Sequence, residues 1–114
     1  MFLKQYLSES RINYILLDAD VDSMYTLERT CRNVADKLDF FDIPPTYSKA
    51  TELDELYLMW WTKEGEFHLK VDEDLNYIAR YKKNLNMFDK EMVAGDASTI
   101  VEESSRLWNK LRLF

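Results

Sequence analysis

The order of hydrophobic and polar residues predicts seven helices and strands along the chain. Apolar residues at helical spacing favour a short helix over Phe2–Glu9, and the nearly continuous apolar run Asn13–Asp18 predicts a buried strand. A longer helix is predicted over about Ser23–Phe41, because apolar residues recur there every three or four positions until Pro44-Pro45 ends the element. Its apolar stripe consists of Met24, Leu27, Cys31, Val34, Ala35, Leu38 and Phe41.

The clearest strand signal is a β-hairpin within residues 55–71. Leu56–Thr62 and Phe67–Val71 are rich in aromatic and aliphatic residues, and Glu64-Gly65 between them is the predicted two-residue turn, which places Trp60 opposite Leu69. One face of this hairpin carries Leu56, Leu58, Trp60, Phe67, Leu69 and Val71. The other face carries Tyr57, Met59, Trp61, His68 and Lys70.

Two further helices are predicted after the hairpin. The acidic run Asp72–Asp74 precedes apolar residues at steps of three and four, which favours a helix that ends at Gly95. The apolar positions of that helix are Leu75, Ile78, Tyr81, Leu85, Phe88 and Met92. The last helix, with Asp96 or Ser98 as its cap, buries Ile100, Val101, Leu107, Trp108, Leu111 and Phe114.

These elements together predict a single compact α+β domain over residues 1–114. We expect a small antiparallel or mixed sheet of about three strands, packed with three to four helices. The 114 residues, of which 46% are hydrophobic, are enough for one core. The single cysteine, Cys31, excludes an internal disulfide, and neither a membrane span nor a secretory signal is apparent, so we expect a cytoplasmic protein.

Charge is distributed unevenly along the chain. The 15 basic and 21 acidic residues give a net charge of −6, and the stretch from Asp18 to Glu55, with ten acids and four bases, accounts for all of it. A negative surface repels phosphate backbones and attracts basic proteins. Charge therefore disfavours direct nucleic-acid binding and favours a protein partner with a basic surface.

An acidic motif follows the predicted strand, in the sequence Leu16-Leu17-Asp18-Ala19-Asp20-Val21-Asp22. An apolar strand that ends in D-x-D resembles the first motif of the haloacid-dehalogenase-like phosphatases. That resemblance implies Asp18 as a nucleophile and Asp20 as an acid/base, with a shared magnesium ion. The simpler interpretation is that these acids end a strand and cap the next helix.

Other catalytic and metal sites find little support in the sequence. An EF-hand starting at Asp18 fails, since Ser23 and Arg29 replace the required glycine and glutamate. His68 is the only histidine, Cys31 lies on an apolar helix stripe, and the glycine-rich phosphate motifs are absent. We therefore predict no catalytic residue, no metal and no cofactor.

The second face of the hairpin is the most informative feature for function. Large aromatic residues on an exposed sheet face mark partner sites, whereas a terminal helix packed on them would make them core, and both interpretations stay open here. An RNA-binding sheet would need basic surroundings. Only Lys70 and Lys63 lie near this face in the predicted arrangement.

Our leading hypothesis is a small, acidic, non-enzymatic binding protein that inhibits or neutralises another macromolecule. Its general character is that of phage-encoded inhibitors of host defence, DNA mimics and toxin-immunity proteins. The predicted electrostatic face consists of Asp36, Asp39, Asp42, Glu52, Asp54 and Glu55. The predicted aromatic and sulfur-containing anchors are Tyr57, Met59 and Trp61. The alternatives are metal-dependent phosphoryl transfer by Asp18 and Asp20, and a homo-oligomer that buries the aromatic face against itself.

Overall fold

A computed structural model describes residues 2–113 and contains four helices and one five-stranded sheet. The helices are α1 (Phe2–Tyr6), α2 (Glu9–Leu16), α3 (Val21–Lys37) and α4 (Ile100–Arg112). The strands are β1 (Tyr47–Ala50), β2 (Leu56–Trp61), β3 (Gly65–Val71), β4 (Tyr77–Lys83) and β5 (Lys90–Gly95). All neighbouring strands are antiparallel and follow the order of the sequence, which makes the sheet a simple meander. No described helix is long and apolar enough to cross a membrane.

The predicted strand at residues 13–18 is wrong, because this segment belongs to helix α2. The hydroxyl of Ser8 accepts a hydrogen bond from the backbone N–H of Arg11 at 3.3 Å and so caps the helix. Ile12, Ile15 and Leu16 then lie on one helical face and are buried. The apolar run is thus the inner stripe of a helix, and the following helix α3 is present close to its predicted position.

The predicted sheet of about three strands is also wrong, since the helix expected between Asp72 and Gly95 is a second hairpin, β4–β5. Every second residue of β4 is buried, which is the period of a strand. Leu85 and Phe88, two positions of the supposed helical stripe, lie almost fully exposed in the β4–β5 turn. The α+β character of the fold is retained.

Turn chemistry explains why the chain reverses where a helix start was expected. The Asp72 carboxylate accepts hydrogen bonds from the backbone N–H groups of Asp74 and Asn76, at 3.0 and 2.9 Å. Leu75 adopts a left-handed conformation with φ of 63°. An aspartate that binds its own backbone in this way favours a turn over a helix. The chain therefore leaves β3 and returns directly as β4.

The β2–β3 hairpin forms with the predicted faces but with a different register. Trp60 lies opposite Phe67 and Leu58 opposite Leu69, which shifts the pairing by two residues from the predicted one. A shift of two residues leaves every side chain on its original face. The six residues predicted on the inner face are accordingly all fully buried.

All the helices pack on that inner face, where the core forms. Phe41, after α3, stacks on Trp60 with ring centroids 4.2 Å apart, and Trp108 of α4 meets both rings edge-on. The predicted buried side of the last helix is confirmed at Ile100, Leu107, Trp108 and Leu111, whereas Val101 is exposed and Phe114 lies outside the described residues. The opposite face of the sheet carries no helix from the described part of the chain.

A charged contact fastens α4 to the edge strand β5. Glu91 accepts hydrogen bonds from Arg106 and Lys110, at 2.7 and 2.8 Å. These two cations lower the pKa of the Glu91 carboxyl from 4.5 to about 2. The carboxylate therefore stabilises the folded protein above pH 4.5, and this contribution is lost as the pH falls from 4.5 towards 2.

We predict that the substitution Glu91→Gln removes part of this acid sensitivity. Because glutamine does not titrate, the free energy of unfolding of the variant should fall less steeply between pH 4.5 and 2, while the variant is less stable than the native protein at pH 7. Urea denaturation at a series of pH values measures both effects. The control is Glu52→Gln, at an exposed position. Equal pH slopes for the native protein and Glu91→Gln would contradict the prediction.

Candidate functional site: the open face of the sheet

The side of the sheet turned away from the helices, which we call the open face, is the candidate functional site. It carries 14 side chains from the five strands, of which five are basic and one is acidic. They are Tyr47, Lys49, Tyr57, Met59, Trp61, Glu66, His68, Lys70, Ile78, Arg80, Lys82, Lys90, Met92 and Ala94. With His68 neutral, its formal charge is +4, whereas the whole chain has −6.

The strand register divides the open face into an aromatic half and a basic half. The aromatic half, on β1 and β2, contains Tyr47, Tyr57, Met59 and Trp61. Trp61 and Tyr47 are 66% and 47% exposed and lie on the same face. The basic half, on β4 and β5, carries Arg80, Lys82 and Lys90 together with Ile78, Met92 and Ala94.

A chain of hydrogen bonds links Tyr57 of the aromatic half to the β3 side chains that lie between the two halves. The Tyr57 hydroxyl lies 2.5 Å from Nδ1 of His68, and Nε2 of His68 lies 3.1 Å from a carboxylate oxygen of Glu66. Burial lowers the pKa of His68 below 6.5 despite the nearby Glu66, so the ring is neutral at pH 7. Burial also raises the pKa of Tyr57, which keeps its hydroxyl protonated. This chain fixes the side chains at the centre of the face.

Two shallow cavities adjoin on the basic half. The larger, about 490 Å³, is lined by cationic and carboxylate side chains from β3, β4 and β5. The smaller, about 250 Å³, extends it towards Tyr57 and Lys70. His68, Arg80 and Met92 line both of them. A ligand in these cavities would therefore meet the positive side chains of the open face.

The cations of the basic half differ from most others in the described part of the chain because they form no ion pair with a carboxylate. Within residues 2–113, Arg80, Lys82 and Lys90 form no ion pair within 4.0 Å. The ion-paired lysines and arginines are Lys4, Arg29, Arg32, Lys70, Lys83, Arg106, Lys110 and Arg112. Unpaired positive charges that share one face attract anions.

The six predicted acidic residues do not form one surface with the aromatic residues. Asp36 pairs with Lys4 at 3.4 Å, and Asp42 accepts hydrogen bonds from Trp108 and Arg112, both at 3.1 Å. Asp39 is in the short segment between these two residues. The first three acids of the set therefore lie near the C-terminal end of α3, and Asp36 and Asp42 contact residues of α1 and α4.

The other three predicted acids, Glu52, Asp54 and Glu55, lie in the β1–β2 turn. Asp54 accepts a hydrogen bond from Ser23 at the start of α3, at 2.7 Å. In a meander the β1–β2 and β3–β4 turns lie at the same end of the sheet. We call this end the acidic end; it comprises Asp20, Asp22, Glu52, Asp54, Glu55, Asp72, Glu73 and Asp74.

The three predicted anchors do share the open face. Met59 and Tyr57 are partly buried among their neighbours, and Trp61 projects at the end of β2. Within residues 2–113 no helix covers this face, so the structure favours an exposed face over one packed beneath a terminal helix. Whether these side chains bind a partner stays a prediction.

The structural context implied by the phosphatase resemblance is absent. Asp18 follows helix α2 rather than a strand, and Asp20 is the residue before α3, where its side chain makes no capping hydrogen bond. Among residues 2–113 no group of three or more histidine, cysteine or acidic side chains is placed to hold a metal ion. Cys31 is fully buried, and burial raises the pKa of its thiol to about 12.

The basic half of the open face escaped the sequence analysis. A helix between Asp72 and Gly95 would have scattered Arg80, Lys82 and Lys90 around its axis. The signal that could have found it was the alternation from Tyr77 to Lys82, in which Tyr77, Ala79 and Tyr81 alternate with Ile78, Arg80 and Lys82.

Comparisons of this chain with protein-family models, with curated proteins and with solved structures found no match.

Proposed function

We propose that this protein is a non-enzymatic binding protein that inhibits or neutralises another macromolecule, and that it makes contact through the open face. The observation that carries this proposal is the combination of unpaired Arg80, Lys82 and Lys90 with exposed Tyr47 and Trp61 on one uncovered side of the sheet. Exposed aromatic and arginine side chains are the residue types that contribute most to binding. We expect the protein to act in the cytoplasm.

The charge of the open face favours an anionic partner. Its charge of +4 leaves −10 on the rest of the chain, so the electric field guides a negative partner to this face and away from the others. The basic partner expected from the sequence rested on the acids and anchors sharing one surface. Apart from Glu55, which pairs with Lys70 of the open face, the described contacts of these acids are away from the anchors, and this supports an anionic partner for the open face.

A protein with a basic surface remains a second candidate, at the acidic end. The observation in its favour is that the two sheet turns and the start of α3 bring eight carboxylates together. The described ion pairs of these carboxylates are one with Arg29 and one with Lys70. Reversing three exposed acids, Asp22→Lys, Glu52→Lys and Asp74→Lys, would abolish binding at the acidic end and leave binding at the open face unchanged or stronger.

Site-specific photo-crosslinking in the cells that express the protein tests the proposed function. We expect a covalent adduct when p-benzoylphenylalanine replaces Trp61, and none when it replaces Tyr25, an equally exposed aromatic residue on α3. The additional substitution Arg80→Glu should abolish the adduct. Adducts of equal yield at both positions, or none at either, would exclude the open face as the contact surface. Sedimentation over a concentration series detects a homo-oligomer that uses this face.

A further inference from the structure

We infer that the partner of the open face is a single-stranded nucleic acid, with its bases on the aromatic half and its phosphates on the basic half. This inference rests on the proposed function and names the partner's chemistry. Single-stranded nucleic acids combine regularly spaced negative charge with flat, apolar rings. Proteins recognise this combination by placing aromatic side chains beside cations.

The two halves are arranged along the strands in a way that suits such a ligand. Neighbouring strands lie about 4.8 Å apart, so β2 and β4 are separated by about 10 Å. Trp61, on β2, is in the same cross-strand row as Lys82 and Lys90, with Glu66 between them. A nucleotide carries its base and its phosphate on opposite sides of the sugar. A strand that lies parallel to β2 and β4 can therefore present bases to one half and phosphates to the other.

The one acidic side chain within the face offsets one of its five positive charges and leaves a formal charge of +4. Glu66 is hydrogen-bonded to His68, which is neutral at pH 7. Among the described lysines and arginines of the face, Lys70 alone forms an ion pair, with Glu55 at 4.0 Å, whereas Glu66 lies opposite Lys82 without one. Arg80, Lys82 and Lys90 consequently remain able to contact phosphate oxygens.

The aromatic half favours single strands over a double helix. A duplex hides its bases in a stack, so Tyr47 and Trp61 cannot stack on them. Single strands present their bases to these rings, which predicts a preference for them over duplexes of the same length.

Fluorescence anisotropy with labelled oligonucleotides tests this inference. The probes are oligo(U) and oligo(dT) of about 12 nucleotides, a duplex of the same length, and poly-glutamate as the acidic-peptide alternative. We expect the single strands to bind more tightly than both other probes. We also expect the affinity to fall by at least tenfold between about 50 and 200 mM salt, because phosphate contacts release counterions.

Two pairs of variants assign the contact to the open face. Trp61→Ala should weaken oligonucleotide binding about fivefold or more, since it removes a stacking ring, while Tyr25→Ala leaves the affinity unchanged. Lys82→Ala should lower the slope of log K against log salt by about 0.7, while Lys37→Ala, which removes an equal charge from the last turn of α3, leaves the slope unchanged. Thermal unfolding of each variant confirms that it is folded.

The outcomes separate this inference from the proposed function. Absence of oligonucleotide binding at low salt, tighter binding of poly-glutamate, or equal affinities in Trp61→Ala and Tyr25→Ala would overturn the nucleic-acid inference. A crosslinked adduct at position 61 that resists nucleases would do the same, yet it would still support the proposed function. A nuclease-sensitive adduct would support both, and no adduct would contradict both.

Discussion

The substitution Trp60→Ala is expected to lower the free energy of unfolding by about 3–5 kcal/mol, the cost of truncating a fully buried aromatic residue. Trp60 has no exposed surface, and its ring stacks on Phe41 at 4.2 Å and meets Phe67 and Trp108 edge-on at 5.7 Å. Its indole N–H also donates a hydrogen bond to the backbone carbonyl of Ile43 at 3.0 Å. The loss would be a large part of the total stability of a domain, about 5–15 kcal/mol.

The adjacent residue provides a matched control for this prediction. Trp61 has the same chemistry and the same strand, but it points to the open face and is 66% exposed. Trp61→Ala should change the free energy of unfolding by about 0.5 kcal/mol or less. Urea denaturation of both variants, followed by circular dichroism, measures the difference. Equal losses of unfolding free energy in the two variants would contradict the assignment of Trp60 to the core and Trp61 to the open face.

The substitution Gly65→Ala is expected to destabilise the protein by about 3 kcal/mol, the upper range for forcing extra atoms into a packed site. A Cβ atom at this position would lie 2.1 Å from the carbonyl oxygen of Lys82 and 2.8 Å from Cα of Lys83. Both obstacles are backbone atoms of β4, so no rotamer change relieves them. The β3–β4 pairing would have to open at its end, next to the basic half of the open face.

The control for Gly65→Ala is Gly95→Ala, at the other glycine of the chain. There a Cβ atom would meet the side-chain oxygens of Thr99 and Tyr77, which are hydrogen-bonded to each other at 2.9 Å. Side chains move more easily than a strand, so the expected loss is about 1 kcal/mol, the net value of one hydrogen bond. Thermal and chemical denaturation rank the two variants. A larger loss for Gly95→Ala would refute the assignment of the close contact at Gly65.

Local sequence patterns identified the elements whose periodicity was unambiguous. The predicted apolar stripes of α3 and α4 agree with the observed burial except at Met24 and Val101, which are exposed, and the alternation in β2 and β3 assigned both faces of that hairpin correctly. The register remained two residues off, because alternation restricts a register only to even shifts. The two-residue turn lies at Lys63-Glu64 rather than Glu64-Gly65: the Thr62 N–H donates to the Gly65 carbonyl, and the Thr62 hydroxyl accepts hydrogen bonds from the N–H groups of Glu64 and Gly65.

The two wrong elements share one cause, which is that a short apolar pattern fits more than one period. Residues 13–18 form a nearly continuous apolar run, yet Ile12, Ile15 and Leu16 also have helical spacing, and the cap at Ser8 favours the helix. Residues 75–92 matched a helix at steps of three and four, but pairing with β3 stabilises β4 over its whole length. Contacts between distant segments outweigh local propensity in such cases.

The sequence by itself determined the α+β fold class, the single core and the two faces of the β2–β3 hairpin. It also determined that large aromatic residues lie on the outer face of that hairpin. The tertiary structure alone decided what surrounds those aromatics. Only when β4 and β5 pair beside β3 do Arg80, Lys82 and Lys90 join Tyr57 and Trp61, while Asp36 and Asp42 move to the helical side. Net charge is a sum over the chain and does not tell where on the surface the charges lie. A binding surface is set by strand pairing, which brings together side chains that are far apart in sequence.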